Sequence, residues 1–237
     1  MFAFKKFVIH QDRCAMKVGT DGVLLGAWAN GGSRILDIGT GTGLIALMMA
    51  QRFADATIDA VEIDAEAAAQ ARENVAATAY ADRISIAETA IQLYPTHHKY
   101  DAIVSNPPFF IDSLINPNAQ RTTARHACAL KYCELFAAVK ALLDSDGEFS
   151  AIIPTECLQA FIAEAYKAGL AMSRQCAVRT TPRKQPKRHL VAFRHAYCRC
   201  EREMEEVCLQ EADGSRSEWY ANLTADFYIK QQQKFTH

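Results

Sequence analysis

The stretch Arg34-Ile35-Leu36-Asp37-Ile38-Gly39-Thr40-Gly41-Thr42-Gly43 decides how this chain folds. Its first half is a short apolar run of the kind that forms a buried strand. Its second half is a turn with three glycines, and an apolar helical pattern over residues 44–53 follows at once. Strand, glycine turn and helix in that order make the first unit of an open α/β sheet, whose ligands sit beyond the carboxyl ends of the strands. Glycines there let the backbone approach a ligand and take turns that side chains would obstruct. The spacing is Gly-x-Gly-x-Gly, whereas a dinucleotide fingerprint wants Gly-x-Gly-x-x-Gly and a P-loop ends in Lys-Ser/Thr, so neither phosphate-binding reading fits.

Outward from this unit the alternation continues. Residues 57–62, 83–88, 100–104 and 148–153 read as strands, and residues 65–77, 130–143 and 156–167 as helices. This pattern predicts right-handed crossovers and an open, mostly parallel sheet with helices on both faces. An antiparallel strand is expected at one edge, from residues 171–178 and 189–195 joined by an exposed basic turn with Pro182 and Pro186. Before the first unit, residues 1–19 predict a small hairpin turning at Gln11-Asp12-Arg13, and Thr20 or Asp21 is placed to cap a helix over residues 23–29. After it, Ser215-x-x-Glu218 resembles a capping box for a last helix over residues 219–230. The expected organisation is one domain of 237 residues, with a core over residues 33–196 and an extension over residues 197–237.

Half of the residues are apolar, enough for a sizeable core, and the formal net charge is −1. That balance excludes whole-chain electrostatic attraction as the route to an acidic partner. The charge is segregated, however. Between residues 165 and 200 there is no Asp or Glu, and the basic residues include Arg183, Lys184, Lys187 and Arg188, whereas residues 201–218 are mostly acidic. Such a patch suits a nucleic-acid backbone, although a charge run is more often a solvated face. The eight cysteines lack metal-type spacing and read as reduced thiols, so no metal site is expected. With no leader-like or membrane-length apolar run, a cytoplasmic protein is expected, acting as a monomer.

Glu62 ends the second predicted strand of the sheet, where a carboxylate can accept hydrogen bonds from both hydroxyls of a ribose. Asp37 is placed either to meet a cationic ammonium or to orient the glycine loop. Together the loop and Glu62 resemble the class I S-adenosylmethionine-dependent methyltransferases, which implies that cofactor.

Asn106-Pro107-Pro108-Phe109 bears on the acceptor. Two consecutive prolines supply no N–H and hold the residues before them extended, which leaves a rigid pair of acceptors. If the Asn106 side-chain oxygen and the Pro107 carbonyl each accept one N–H of a planar amine, its nitrogen is freed from conjugation and its lone pair can be aimed. Phe109 offers a face on which an extruded base can stack, worth about 1–3 kcal/mol. Downstream, Arg121, Arg125 and His126 suit phosphate contacts or closure over substrate, or else form a solvated loop.

Residues 14–52, Ala60-Val61-Glu62-Ile63-Asp64, residues 105–110 and Arg121 with Ala124-Arg125-His126 narrow the resemblance. The chain resembles the bacterial tRNA1(Val) adenine-N6 methyltransferases over about residues 2–195. The resemblance implies methylation of adenine 37, beside the anticodon of a valine tRNA. By position it implies cofactor contacts at Gly39, Gly41, Gly43, Glu62, Ile63 and Thr89, with Thr20, Asp21 and Gly22 near the methionine end. It implies catalysis at Asn106, Pro107, Pro108 and Phe109, the last standing where many members carry Tyr. An acidic residue often meets the cofactor adenine near Glu88-Thr89-Ala90, and Glu88 is the weaker carry-over. Rival readings are guanine-N2 methylation of RNA, methylation of a protein glutamine amide, and a non-catalytic cofactor-binding RNA chaperone. Glycine spacing disfavours a dinucleotide oxidoreductase.

Overall fold

The computed structural model describes residues 1–95, 98–108, 130–198 and 201–229. Its elements are β1 (Phe2–Ala3), β2 (Val8–Ile9), α1 (Thr20–Trp28), β3 (Arg34–Ile38), α2 (Leu44–Arg52), β4 (Thr57–Glu62), α3 (Ala65–Ala76), β5 (Ile84–Glu88) and β6 (Tyr100–Ser105). They continue with α4 (Tyr132–Leu142), β7 (Leu143–Pro154), α5 (Leu158–Lys167), β8 (Leu170–Arg179), β9 (Arg188–His195), β10 (Glu203–Cys208) and α6 (Glu218–Leu223). Eight strands form one sheet in the order β10-β8-β9-β7-β6-β3-β4-β5, and β1 pairs with β2 in a separate hairpin. The open, mostly parallel α/β sheet expected from the alternation is what the chain forms.

Successive side chains of a strand face opposite ways, and here both faces are apolar. Ile35, Ala102, Val104, Ile152, Leu190 and Ala192 pack under α1 and α2. Their neighbours Leu36, Ile103, Phe149, Ala151, Ile153, Val191 and Phe193 pack under α4 and α5. On the second face Phe136, Phe149, Phe161 and Phe193 form one cluster, with the Phe136 and Phe161 ring centroids 4.7 Å apart. Helix α1 lies close on α2, because Gly26 presents no side chain where a Cβ would come 2.8 Å from the Met48 sulfur.

Several boundaries differ from expectation. The hairpin turns at Lys5-Lys6, where Phe4 N–H donates to the Phe7 carbonyl at 2.9 Å. The buried Phe4 and Phe7 rings, 4.9 Å apart, fix that turn, so β2 is finished before Gln11. Gly19, with no side-chain cap, precedes α1, and Thr20 and Asp21 lie inside its first turn. The antiparallel strand is β9, third from the edge: β8 returns parallel to the main set and β10 adds outside it, also parallel. Ser217 rather than Ser215 caps α6, its hydroxyl accepting the Tyr220 N–H at 3.1 Å, and the helix stops at Leu223.

Because β9 runs against β7, its first residue, Arg188, lies opposite Pro154, the last residue of β7. The basic turn between β8 and β9 therefore stands on the same rim of the sheet as the carboxyl ends of β3, β4 and β6. Arg183, Lys184 and Lys187 on that turn are exposed.

Candidate active site

A cleft of about 920 Å³ opens on this rim. Into its wall come Gly39 to Thr42 after β3, Glu62 to Asp64 after β4, Thr89 to Gln92 after β5, and Ser105 to Pro108 after β6, together with Thr20 to Gly22 of α1 and Arg188. Residues far apart in the chain thus come together on one rim. Phe109, Arg121, Arg125 and His126, also candidates, lie outside the described residues.

The glycine loop is held by neighbouring backbone. Gly39 and Thr40 N–H groups donate to the Val61 carbonyl at 2.9 and 3.1 Å, which ties the loop to β4. Gly39 and Gly41 adopt φ of 74° and 56°, and a Cβ on either would meet nothing within 4 Å. Space beside both is open, so the loop offers bare backbone to a ligand. Gly43 turns the chain into α2 at a φ of 82°, backbone that favours glycine, and its Cβ position faces Ala71 of α3 at 3.5 Å.

Glu62 and Asp37 fix the loop from two sides. Glu62 Oε2 accepts the Gly41 N–H at 2.8 Å, and Oε1 accepts those of Ile63 and Asp64 at 2.9 and 3.0 Å. Three of roughly four acceptor sites on the carboxylate are thereby engaged. Asp37 is fully buried and lies behind the loop rather than in the cleft wall. Its Oδ2 accepts the Thr40 hydroxyl at 2.6 Å and the Ala46 N–H of α2 at 3.1 Å. Of its two expected roles, these contacts match orientation of the loop. Burial pushes the Asp37 carboxyl up to about 7, opposed by those two hydrogen bonds.

At the end of β6, Ser105 Oγ donates to the Ile38 carbonyl at 2.8 Å, which fastens the acceptor segment to the strand that leads into the glycine loop. Next to it, Asn106 Oδ1 is buried without a hydrogen-bond partner among the described residues. A buried acceptor left unpaired costs roughly 1–3 kcal/mol, and this one stands on a residue of the cleft wall.

The sequence reading missed the wall formed by Cys14 to Val18. Two buried amides on α3 strap the chain leading into it: Asn74 Oδ1 accepts the His10 N–H at 2.9 Å, and Gln70 Oε1 accepts that of Arg13 at 3.4 Å. Asn74 Nδ2 also donates to the carbonyls of His10 and Thr42, at 2.8 and 2.9 Å, so one side chain braces both this wall and the glycine loop. A buried amide in a helical stretch otherwise rich in alanine is the one local hint of this.

Residues 18–159 match the family model described as methyltransferase small domain. A tRNA1(Val) (adenine(37)-N6)-methyltransferase of Phocaeicola vulgatus is 46% identical over 230 residues, covering 96% of this chain and 97% of that protein. The protein of the same name in Bacteroides thetaiotaomicron is 47% identical over 231 residues, covering 96% and 97%. The chain belongs to the tRNA1(Val) (adenine(37)-N6)-methyltransferase family. A crystal structure described as a predicted O-methyltransferase of Agrobacterium tumefaciens shares the fold of this methyltransferase. Its TM-score is 0.66 at 19% identity, and it covers 87% of this chain and 96% of its own.

S-adenosylmethionine, the cofactor of such a methyltransferase, fits the wall that this chain builds. The glycine loop leaves open backbone at Gly39 and Gly41, and the cleft has carboxylates at Glu62 and Asp21 and a guanidinium at Arg188. The loop also lacks the features of a phosphate site, which a cofactor without phosphate does not need. Among the described residues no helix is long and apolar enough to cross a membrane.

Proposed function

We propose that the chain transfers a methyl group from S-adenosylmethionine to N6 of adenine 37 in tRNA1(Val), in the cytoplasm and as a monomer. The observation that carries the chemistry is the unpartnered, buried Asn106 Oδ1, beside Pro107 and in one cleft with the glycine loop. The adenine and its tRNA rest on the relatives of that name.

In this reading Gly39, Gly41, Glu62, Ile63 and Thr89 hold the nucleoside part of the cofactor. Asp37 and Gly43 act from behind, by fixing the loop. When bound, the cofactor supplies an electrophilic methyl group on a sulfonium. Asn106 Oδ1 accepts one N–H of the adenine amine and the Pro107 carbonyl accepts the other, which draws the nitrogen lone pair out of conjugation and aims it. The work is mostly positioning, and no side-chain base is required: the alkylated nitrogen is acidic and loses its proton to a carbonyl or to water. Phe109 stacks on the flipped base, while Arg121, Arg125 and His126 and the exposed Arg183, Lys184 and Lys187 meet RNA phosphates.

Incubation with methyl-labelled cofactor and total tRNA from a strain lacking the protein tests the reading. Label is expected in N6-methyladenosine at position 37 of the valine tRNA. Label in N2-methylguanosine, or in protein only, would overturn it.

A further inference from the structure

The turn between β8 and β9 carries Arg183, Lys184 and Lys187, exposed and without an ion pair among the described residues. Like charges this close repel one another and push the turn open. Polar contacts from outside the turn oppose that. Thr155, the residue after β7, holds the returning arm twice: its N–H donates to the Lys187 carbonyl at 3.1 Å and its hydroxyl to the Pro186 carbonyl at 2.7 Å. On the outgoing arm, the Arg179 guanidinium donates to the Pro182 carbonyl at 3.1 Å and is ion-paired with Glu206 of β10.

Behind Thr155 stands the buried His189 of β9. The Thr155 hydroxyl has one hydrogen, and the Pro186 carbonyl, which can only accept, takes it. Toward His189 Nε2, 3.2 Å away, the same oxygen is therefore the acceptor and the ring nitrogen the donor. Gln175 Nε2 donates to Nδ1, on the other side of the ring, at 3.1 Å. The imidazole is then neutral, in keeping with the burial that pulls it below its ordinary value against the opposing Glu206. Gln175, His189, Thr155 and the Pro186 carbonyl form one directed chain of hydrogen bonds from β8 through β9 to the basic turn.

We propose that Thr155, oriented by His189, is a positioning residue for tRNA, holding the three cations of the turn at a set distance from the acceptor site. This rests on the reading given above in which that turn meets RNA phosphates. The anchor lies on the right strand for the task. Ala151 of β7 lies opposite Ser105 of β6, and Asn106 follows Ser105 directly, so Thr155 ties the turn to the strand beside the acceptor segment. A base extruded into the pocket and the phosphates near it are joined by covalent bonds of fixed reach. Cations that grip those phosphates help only if their distance from Asn106 suits that reach. A turn ordered beforehand also loses less freedom when RNA binds.

Thr155→Val keeps the branched shape and removes the hydroxyl. The KM for tRNA is expected to rise about fivefold or more, while kcat at saturating tRNA and affinity for S-adenosylhomocysteine change less than about twofold. Thr155→Ser, which keeps the hydroxyl, is expected to restore the KM. A double-mutant cycle separates positioning from a general loss of structure: with Arg183, Lys184 and Lys187 already replaced by alanine, Thr155→Val is expected to weaken tRNA binding no further. An unchanged KM would overturn the assignment, and so would a failure of serine to restore it, an equal fall in S-adenosylhomocysteine binding, or losses that multiply across the cycle. Wild-type tRNA affinity in the triple-alanine protein would instead overturn the RNA reading of the turn, and this assignment with it.

Discussion

Glu62 Oε2 accepts the Gly41 N–H at 2.8 Å, so the acid that ends β4 holds the middle glycine of the loop that follows β3. The same carboxylate accepts two more N–H groups, from Ile63 and Asp64. An amide at this position would turn one acceptor into a donor facing an N–H. Glu62→Gln is therefore expected to weaken S-adenosylhomocysteine binding at least about tenfold and to lower stability by roughly 1–3 kcal/mol. Calorimetry and urea unfolding check this, and a variant with both properties intact would separate Glu62 from the loop.

Asn106 offers the opposite case, a group whose removal relieves the folded chain. Its buried Oδ1 has no partner among the described residues, so Asn106→Ala is expected to leave the unfolding midpoint unchanged or raised. Methyl transfer should fall by about 100-fold or more, with cofactor binding intact. If cofactor binding fell in step with turnover, Asn106 would not be an acceptor-side residue.

Asp37 is sealed behind the loop with its carboxyl pushed up to about 7 by burial. A carboxyl raised on folding holds its proton more tightly in the folded chain. Its stabilising contribution is complete below the unfolded value near about 4 and is lost as pH rises toward 7. Asp37→Asn keeps an oxygen for Thr40 and Ala46 but cannot ionise. The stability of wild type minus that of Asp37→Asn should drop by on the order of a few kcal/mol between about pH 4 and about pH 7. Urea midpoints over that range give the measurement; a flat difference would mean that folding does not raise this carboxyl.

Arg183, Lys184 and Lys187 are exposed on the turn that shares the rim with the cleft. Replacing all three with alanine is expected to weaken tRNA binding, with a salt dependence shallower by roughly 1 per lost contact. Binding of S-adenosylhomocysteine should not move. Filter binding across a salt series would show an unchanged slope if the turn does not meet phosphates.

The unit from β3 through α2 was legible because each part has a short-range cause: an apolar strand, glycines at positive φ and an apolar helix. Glu62 and Asn106 were legible because the one ends such a strand and the other follows one directly. Strand β10 was not, since Glu203, Glu205 and Glu206 are exposed and its ladder partner, β8, is fixed by the order of strands in the sheet. Asn74 was equally hidden, its partners His10 and Thr42 lying 64 and 32 residues away. Arg188 looked like one more charge in a basic run. Its half-buried place follows from β9 starting beside Pro154, which depends on strand order rather than on nearby sequence.

Strand β10 also orders events during synthesis. The catalytic half of the sheet, from β3 to β7, is complete once residue 154 has emerged, and β9 closes onto it by residue 195. Until Glu203–Cys208 follows, β8 is the outermost strand, and its ladder of N–H and C=O groups faces solvent without a neighbour. A nascent chain paused near residue 200 would thus have its cleft framework assembled while still presenting a sticky border to other chains. The acidic strand that arrives last closes that border, and its exposed glutamates place charge on the new edge strand, which discourages further addition.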